Sequence, residues 1–278
     1  MTAPASLDLS DGGAIPILGF GTGAMAGGMS AEAVLTALKI GYRHIDTARK
    51  YGTEAAVSQA MRASGLPRQD IFLTSKVSHE NLRPADFARS VDESLAALKV
   101  DYLDLLLVHW PNPEIAVREY MPALAKAKRE GLTRHIGVAN FTTRLLEQAI
   151  AFSPEPLAVL QAEYHPYLEQ TKLLTAVRKH GLVFVAHCPV GRGRLFDDPV
   201  LADIAKTRGR TIAQVALRWL IQQNVAAIPF SSKPQRIAEN FNVFDFTLTG
   251  DEMQRIAALK RADGRVADPA GRVPGGWD

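Results

Sequence analysis

The chain has 278 residues, 47% of them apolar, enough to bury one substantial core, and α/β barrels of this length fold undivided, so a single domain over 1–278 is expected. Its 32 basic and 29 acidic residues leave a net charge of +3 without a dense basic run, which argues against a nucleic-acid or membrane partner. A lone Cys188 excludes an intramolecular disulfide; the opening Met-Thr-Ala-Pro-Ala-Ser lacks a signal peptide's apolar stretch, no segment approaches ~20 uninterrupted apolar residues, and a cytoplasmic protein is expected.

Ser6 to Pro16 is two short runs about an Asp11-Gly-Gly turn, which reads as a β-hairpin plugging the bottom of the fold. Apolar runs then recur at 17–21, 43–46, 71–77, 102–109, 133–138, 158–163, 182–187 and 225–228, eight candidate strands separated mostly by helical patterns. Between the third and fourth, Phe87, Val91, Leu95 and Leu98 repeat at i, i+4, i+8 and i+11, and Pro84 suits the first turn of that helix. The wide gap before the eighth run has room for an extra helix. The tail from Ala262 to Asp278, with several Gly and Pro and one Trp277, reads either as disordered or as packed across the mouth. Eight alternating units favour an α/β fold of the closed (β/α)8 TIM-barrel type, whose reactive groups stand where strands end and helices begin.

Gly19-Phe-Gly21-Thr-Gly23-Ala24 fits the G-x-G-x-x-A dinucleotide fingerprint, and Asp46 lies near the ~20-residue offset of a ribose-binding acid. The context fails. A Rossmann helix opens within the glycine run, whereas here Ala26-Gly-Gly-Met intervenes and the first good N-cap is Ser30. Gly21 and Thr22 read better as a close-approach floor beneath a ligand.

Four residues carry the chemistry. Asp46, Lys76 and His109 each close an apolar run and Tyr51 follows the second, so parallel neighbouring strands gather them at one rim. A free phenol has a pKa of about 10, and a neighbouring ammonium such as Lys76 eases proton loss from Tyr51, with Asp46 holding that ammonium in place. A neutral His109 donates a hydrogen bond to a carbonyl oxygen and stabilises charge growing there. Singly, each has a structural explanation; together they describe a site that protonates a carbonyl.

The stretch Gly41-Tyr-Arg-His-Ile-Asp46-Thr-Ala-x-x-Tyr51-Gly-x-Glu54 resembles the signature of the aldo-keto reductases. Leu107-Val-His109-Trp110-Pro111, Ile136-Gly-Val-Ala-Asn140-Phe141, Gln161-Ala-Glu-Tyr-His-Pro-Tyr167 and Arg236-Ile-Ala-Glu239-Asn240 follow in the family's order and spacing. Short loops and the end Gly271-Arg-Val-Pro-Gly-Gly-Trp-Asp278 are most similar to the bacterial 2,5-diketo-D-gluconate reductases, B type. The resemblance implies that Asp46, Tyr51, Lys76 and His109 form a catalytic tetrad with Tyr51 as proton donor. It implies a nicotinamide cofactor held by Asn140 and Gln161 at the carboxamide and by Ser231, Arg236, Glu239 and Asn240 around the adenosine end. It also implies reduction of aldehydes or ketones, with small dicarbonyls and keto-sugars as the suggested substrates.

Three positions depart from the family pattern. Phe230 stands where many members carry a Lys on the 2′-phosphate of NADPH, although Arg236 and Lys233 suit that phosphate; the expectation is NADPH, with NADH possible. His187 replaces the aromatic, often Tyr, that stacks on the nicotinamide. Ala139 replaces the Ser of a Ser-Asn pair, removing one carboxamide hydrogen bond at a net cost of ~1 kcal/mol.

Met25, Trp110 and the tail are candidate substrate contacts, a buried core position being the rival for Trp110. His165 reads as structural, Cys188 and His187 point to opposite faces of a strand, and no metal-ligand spacing occurs. Rival functions are a Schiff-base aldolase using Lys76 and a barrel that senses cofactor without useful turnover. Oligomeric state is not legible.

Overall fold

Apolar runs without period-two alternation need cover on both faces, and Leu103-Asp-Leu-Leu-Leu-Val108 is buried at every position. That cover comes from a ring of helices around a sheet of eight parallel strands. The computed structural model describes residues 5–23, 29–269 and 271–278. In chain order, the hairpin strands β1 (Ser6–Asp8) and β2 (Ala14–Pro16) precede β3 (Phe20–Gly21), α1 (Met29–Ile40), β4 (His44–Asp46), α2 (Glu54–Ser64), β5 (Phe72–Val77), α3 (Pro84–Leu98) and β6 (Leu103–Val108). Then come α4 (Val117–Arg129), β7 (Thr133–Ala139), α5 (Thr143–Phe152), β8 (Val159–Glu163), α6 (Thr171–Lys179) and β9 (Val183–His187). The chain continues through α7 (Pro199–Arg208), α8 (Ile212–Ile221), β10 (Ala226–Ala227), α9 (Pro234–Phe241) and α10 (Gly250–Ala257).

Every expected strand is present, and the sheet runs from β10 to β3 in strict sequence. A doubly wound sheet reverses its strand order at a switch point; this one has none, so the dinucleotide fingerprint at Gly19 is a coincidence of packing glycines. A Cβ on Gly19 would come within 2.5 Å of the His44 ring, and one on Gly21 within 3.0 Å of the Ile228 carbonyl oxygen. The ends of the sheet meet: Gly19 donates to the Ala227 carbonyl at 2.9 Å and Ala227 to that of Ile17 at 2.8 Å, closing the barrel.

The helix over Phe87 to Leu98 forms as its spacing predicts, with Pro84 in its first turn and Lys99 ending it at φ 55°. Phe87, Val91 and Leu98 are buried and Leu95 packs beside them. The gap before the last strand holds two helices, α7 and α8; a reciprocal Thr211 and Gln214 capping box starts the second. α1 opens at Met29, one residue ahead of the expected cap, so Ser30 belongs to its first turn.

The N-terminal hairpin lies against the strand-start end of the barrel. Its turn needs positive φ at Gly12 and Gly13, 98° and 75°, which glycine adopts without a Cβ clash. Asp11 in that turn bonds His135 at the start of β7 (2.8 Å) and accepts from Lys128 of α4 (2.5 Å). None of the described helices is long and apolar enough to cross a membrane.

Candidate active site

The opposite end of the barrel, where the strands finish, collects the chemistry. Asp46 ends β4, Tyr51 sits in a short 3-10 turn (Arg49–Tyr51) just after it, Lys76 is next to last in β5, and His109 follows β6. Lys76 is wholly buried; its Nζ donates to Asp46 Oδ1 at 2.5 Å and to the Thr47 carbonyl at 2.9 Å. That ammonium also stands 5.2 Å from the centre of the Tyr51 ring. The Tyr51 hydroxyl and His109 Nε2 are 3.2 Å apart, their rings edge to face. The structure thus brings all four sequence candidates together.

Charge states follow from burial and neighbours. Burial pushes the Tyr51 phenol up, with Lys76 pulling the other way, so the hydroxyl keeps its proton at neutral pH. Burial works against the Lys76 ammonium, but the Asp46 carboxylate and the Tyr51 oxygen more than offset it, and the group is held above the ordinary lysine value. Burial first, then the Lys76 charge, drives His109 well below the usual imidazole range, which makes it neutral. A protonated phenol, a fixed cation behind it and a neutral imidazole beside it form an arrangement able to pass a proton to a bound oxygen.

Further rim residues tie into this group. Gln161 in β8 donates to the second Asp46 oxygen, Oδ2, at 2.8 Å. Asn140, just past β7 at φ 61°, donates to the His109 carbonyl at 2.9 Å, and His187 at the end of β9 bonds Asn140 Oδ1 at 2.7 Å. Ser231, Arg236, Glu239 and Asn240 lie on the segment after β10 and on α9 and make no side-chain bond to the tetrad. Thr22 is fully buried and bonds Thr53 at 3.2 Å, and Thr53 bonds Thr47 at 3.0 Å, bracing the Tyr51 turn. Met25 lies outside the described residues.

Two imidazoles, His44 fully buried and His187 half-buried at the rim, carry a consequence for stability. His44 and His187 are pushed down to about 4, chiefly by burial, against an ordinary value of 6.5. Between those values the unfolded chain binds more protons than the folded one, so stability rises with pH there and is lost as pH falls, at roughly 1.4 kcal/mol per unit for each group. Urea midpoints are expected to be level above about pH 6.5 and to fall steadily below it. An unchanged midpoint at about pH 5 would contradict imidazoles held neutral in the folded chain.

Some residues gained roles that sequence reasoning did not give them. Buried Glu54 accepts from Ser75, the neighbour of Lys76, at 2.7 Å, which fixes the end of β5 against α2. Glu163 lies two positions after Gln161 on the same strand, a period-two signal that places both on one face. His165 is structural as expected, its Nε2 donating to Glu163 at 2.8 Å. Cys188 follows β9 at φ 50°, and no group of metal-ligating side chains occurs among the described residues. Trp110 is 8% exposed and stands edge-on to Trp277, ring centres 6.1 Å apart. The described tail residues lie over the strand-end rim, fastened at Glu163, Thr143 and Trp110.

A profile of the Aldo/keto reductase family matches residues 17–261. The chain is 40% identical over 268 residues to methylglyoxal reductase DkgB of Escherichia coli O157:H7, spanning 95% of this chain and 100% of that protein. It is also 40% identical over 269 residues to an aldo-keto reductase of Mycobacterium avium strain 104, spanning 96% and 94%. A crystal structure provisionally named 2,5-diketo-D-gluconic acid reductase B superposes with a TM-score of 0.95 at 43% identity, covering 100% of this chain and 98% of that one. With identity at this level along nearly the whole length and the same barrel beneath it, the chain belongs to the aldo/keto reductase family and is an oxidoreductase.

Proposed function

We propose that the chain reduces small aldehydes and ketones, dicarbonyls and keto-sugars above all, with NADPH as reductant. The observation that carries this is the 3.2 Å approach of the Tyr51 hydroxyl to a neutral His109 in front of the Lys76 ammonium. Tyr51 gives its proton to the carbonyl oxygen, Lys76 stabilises the phenolate left behind, and Asp46 keeps that cation in place. His109 donates a hydrogen bond from Nε2 to the same oxygen. When bound, the nicotinamide supplies the hydride that reaches the carbonyl carbon.

The residues present fit such a cofactor. Asn140 uses one amide hydrogen and one oxygen lone pair on His109 and His187, leaving one of each, the complement of a primary carboxamide. α9 starts with Pro234, has no acid in its first turn, and presents Lys233 and Arg236, which make no ion pair among the described residues. Two unpaired cations at a helix start suit a phosphate, which favours NADPH despite Phe230. Methylglyoxal and 2,5-diketo-D-gluconate, the compounds in the relatives' names, are the first substrates to try.

Lys76 is a poor Schiff-base nucleophile, because an ammonium buried against Asp46 and held above its ordinary pKa does not deprotonate near neutrality. Titration of NADPH and NADH by quenching of tryptophan fluorescence, beside a panel of carbonyls, tests the reading. Tighter NADPH binding and cofactor oxidation with a small dicarbonyl are expected. Absence of oxidation across the panel overturns reductase function, and tighter NADH binding overturns the cofactor assignment.

A further inference from the structure

Glu163 closes β8 with a fully buried side chain, and no Lys or Arg pairs with it among the described residues. Its carboxylate instead accepts three N–H groups. Oε1 takes the Val266 amide at 2.7 Å and His165 Nε2 at 2.8 Å, and Oε2 takes the Ala267 amide at 2.7 Å. The Tyr167 amide donates to His165 Nδ1 at 3.3 Å, so Nε2 is the ring nitrogen that carries the hydrogen. Burial pushes the Glu163 carboxyl up, but these hydrogen bonds outweigh it, and the group is held below its ordinary range as an anion.

Two of the three donors belong to the start of the C-terminal segment. Past them the Arg265 guanidinium lies 3.5 Å from the centre of the Trp277 ring, and Trp277 stands against Trp110 beside His109. At the far end Asp278 accepts from the Thr143 amide and hydroxyl at 2.6 and 2.7 Å, and Arg144 donates to the Pro274 carbonyl at 2.6 Å. Those outer fastenings are exposed and compete with water. The bonds to Glu163 are buried or part-buried and end on a charge that is itself fully buried, which makes them the strongest ties along this strap.

We propose that Glu163 is a positioning residue: its carboxylate latches the strap, residues 265–269 and 271–278, over the strand-end rim and so sets Trp277 against Trp110 beside His109. For its effect on substrate this rests on the reductase reading above. Glu163→Gln keeps the volume but offers one acceptor oxygen and two N–H groups, so whichever way the amide turns, at least one donor meets another donor.

The Arg265–Val266 peptide bond contains one of the latched amides and is a trypsin site. In Glu163→Gln, cleavage there should be at least about tenfold faster, with cleavage after Lys126 or Arg129 on α4 unchanged. KM for the carbonyl should rise by about the same factor while kcat changes less than about twofold. Unchanged cleavage, or acceleration in step with the α4 sites, overturns the latch; an unchanged KM overturns the positioning role. If the wild type reduces no carbonyl, the reductase reading fails and proteolysis alone judges the latch. Should the variant not fold, amide exchange in the wild type decides: Val266 and Ala267 protected like β8 support the latch, and exchange as fast as an open loop overturns it.

Discussion

Tyr51→Phe is expected to lower kcat for carbonyl reduction by about a thousandfold while leaving the NADPH dissociation constant within about twofold. The substitution removes one oxygen and nothing else. Its only side-chain hydrogen bond among the described residues is to His109, and the edge-to-face contact of the rings persists without it. Folding stability should therefore change little, about 1 kcal/mol at most. Steady-state rates with fluorescence titration of the same preparation check all three quantities. Turnover like the wild type would take the proton-donor role away from Tyr51.

Lys76→Met should cost both stability and activity. Lys76 and Asp46 are side chains 0% and 2% exposed, and truncating one partner leaves the other charge buried and unpaired, at a cost of about 3–5 kcal/mol. Urea unfolding measures the loss. Adding Asp46→Asn to Lys76→Met removes the stranded charge, so most of the stability should return, since a neutral buried pair often matches an ion pair. Turnover should not return, because no cation then faces the phenolate of Tyr51. Recovery of both would make the pair purely structural; recovery of neither would mean that Gln161 or Thr47, which also bond this pair, hold the rim through it.

Much of this was legible in the chain because barrel strands advertise themselves. A strand covered on both faces reads as an unbroken apolar run, and all eight runs became neighbours in sequence order, so polar residues at their ends had to converge. Asp46, Tyr51, Lys76 and His109 were visible for that reason. Side-chain partners across the barrel were not. Gln161 was expected only at a carboxamide, whereas the structure shows it holding the second oxygen of Asp46, 115 residues away. His187 was noted as standing in for an aromatic that stacks on the nicotinamide, and the structure shows it bonding Asn140. Which polar atoms meet across a closed barrel depends on strand stagger and rotamers, which no local pattern encodes.

The tail shows the limit most plainly. Ala262 to Asp278 is rich in Gly and Pro and has no period, so composition left disorder and packing equally open. Packing was decided by a buried carboxylate on β8, which local sequence around Val266 and Ala267 gives no means to foresee. The sequence by itself determined the barrel, through its alternation of apolar runs and helical faces, and the rim tetrad, through the place of four residues after those runs. Only the tertiary structure decided which further groups hold the Asp46 and Glu163 carboxylates and what lies over the rim, because those contacts join segments more than a hundred residues apart, brought together when the barrel closes.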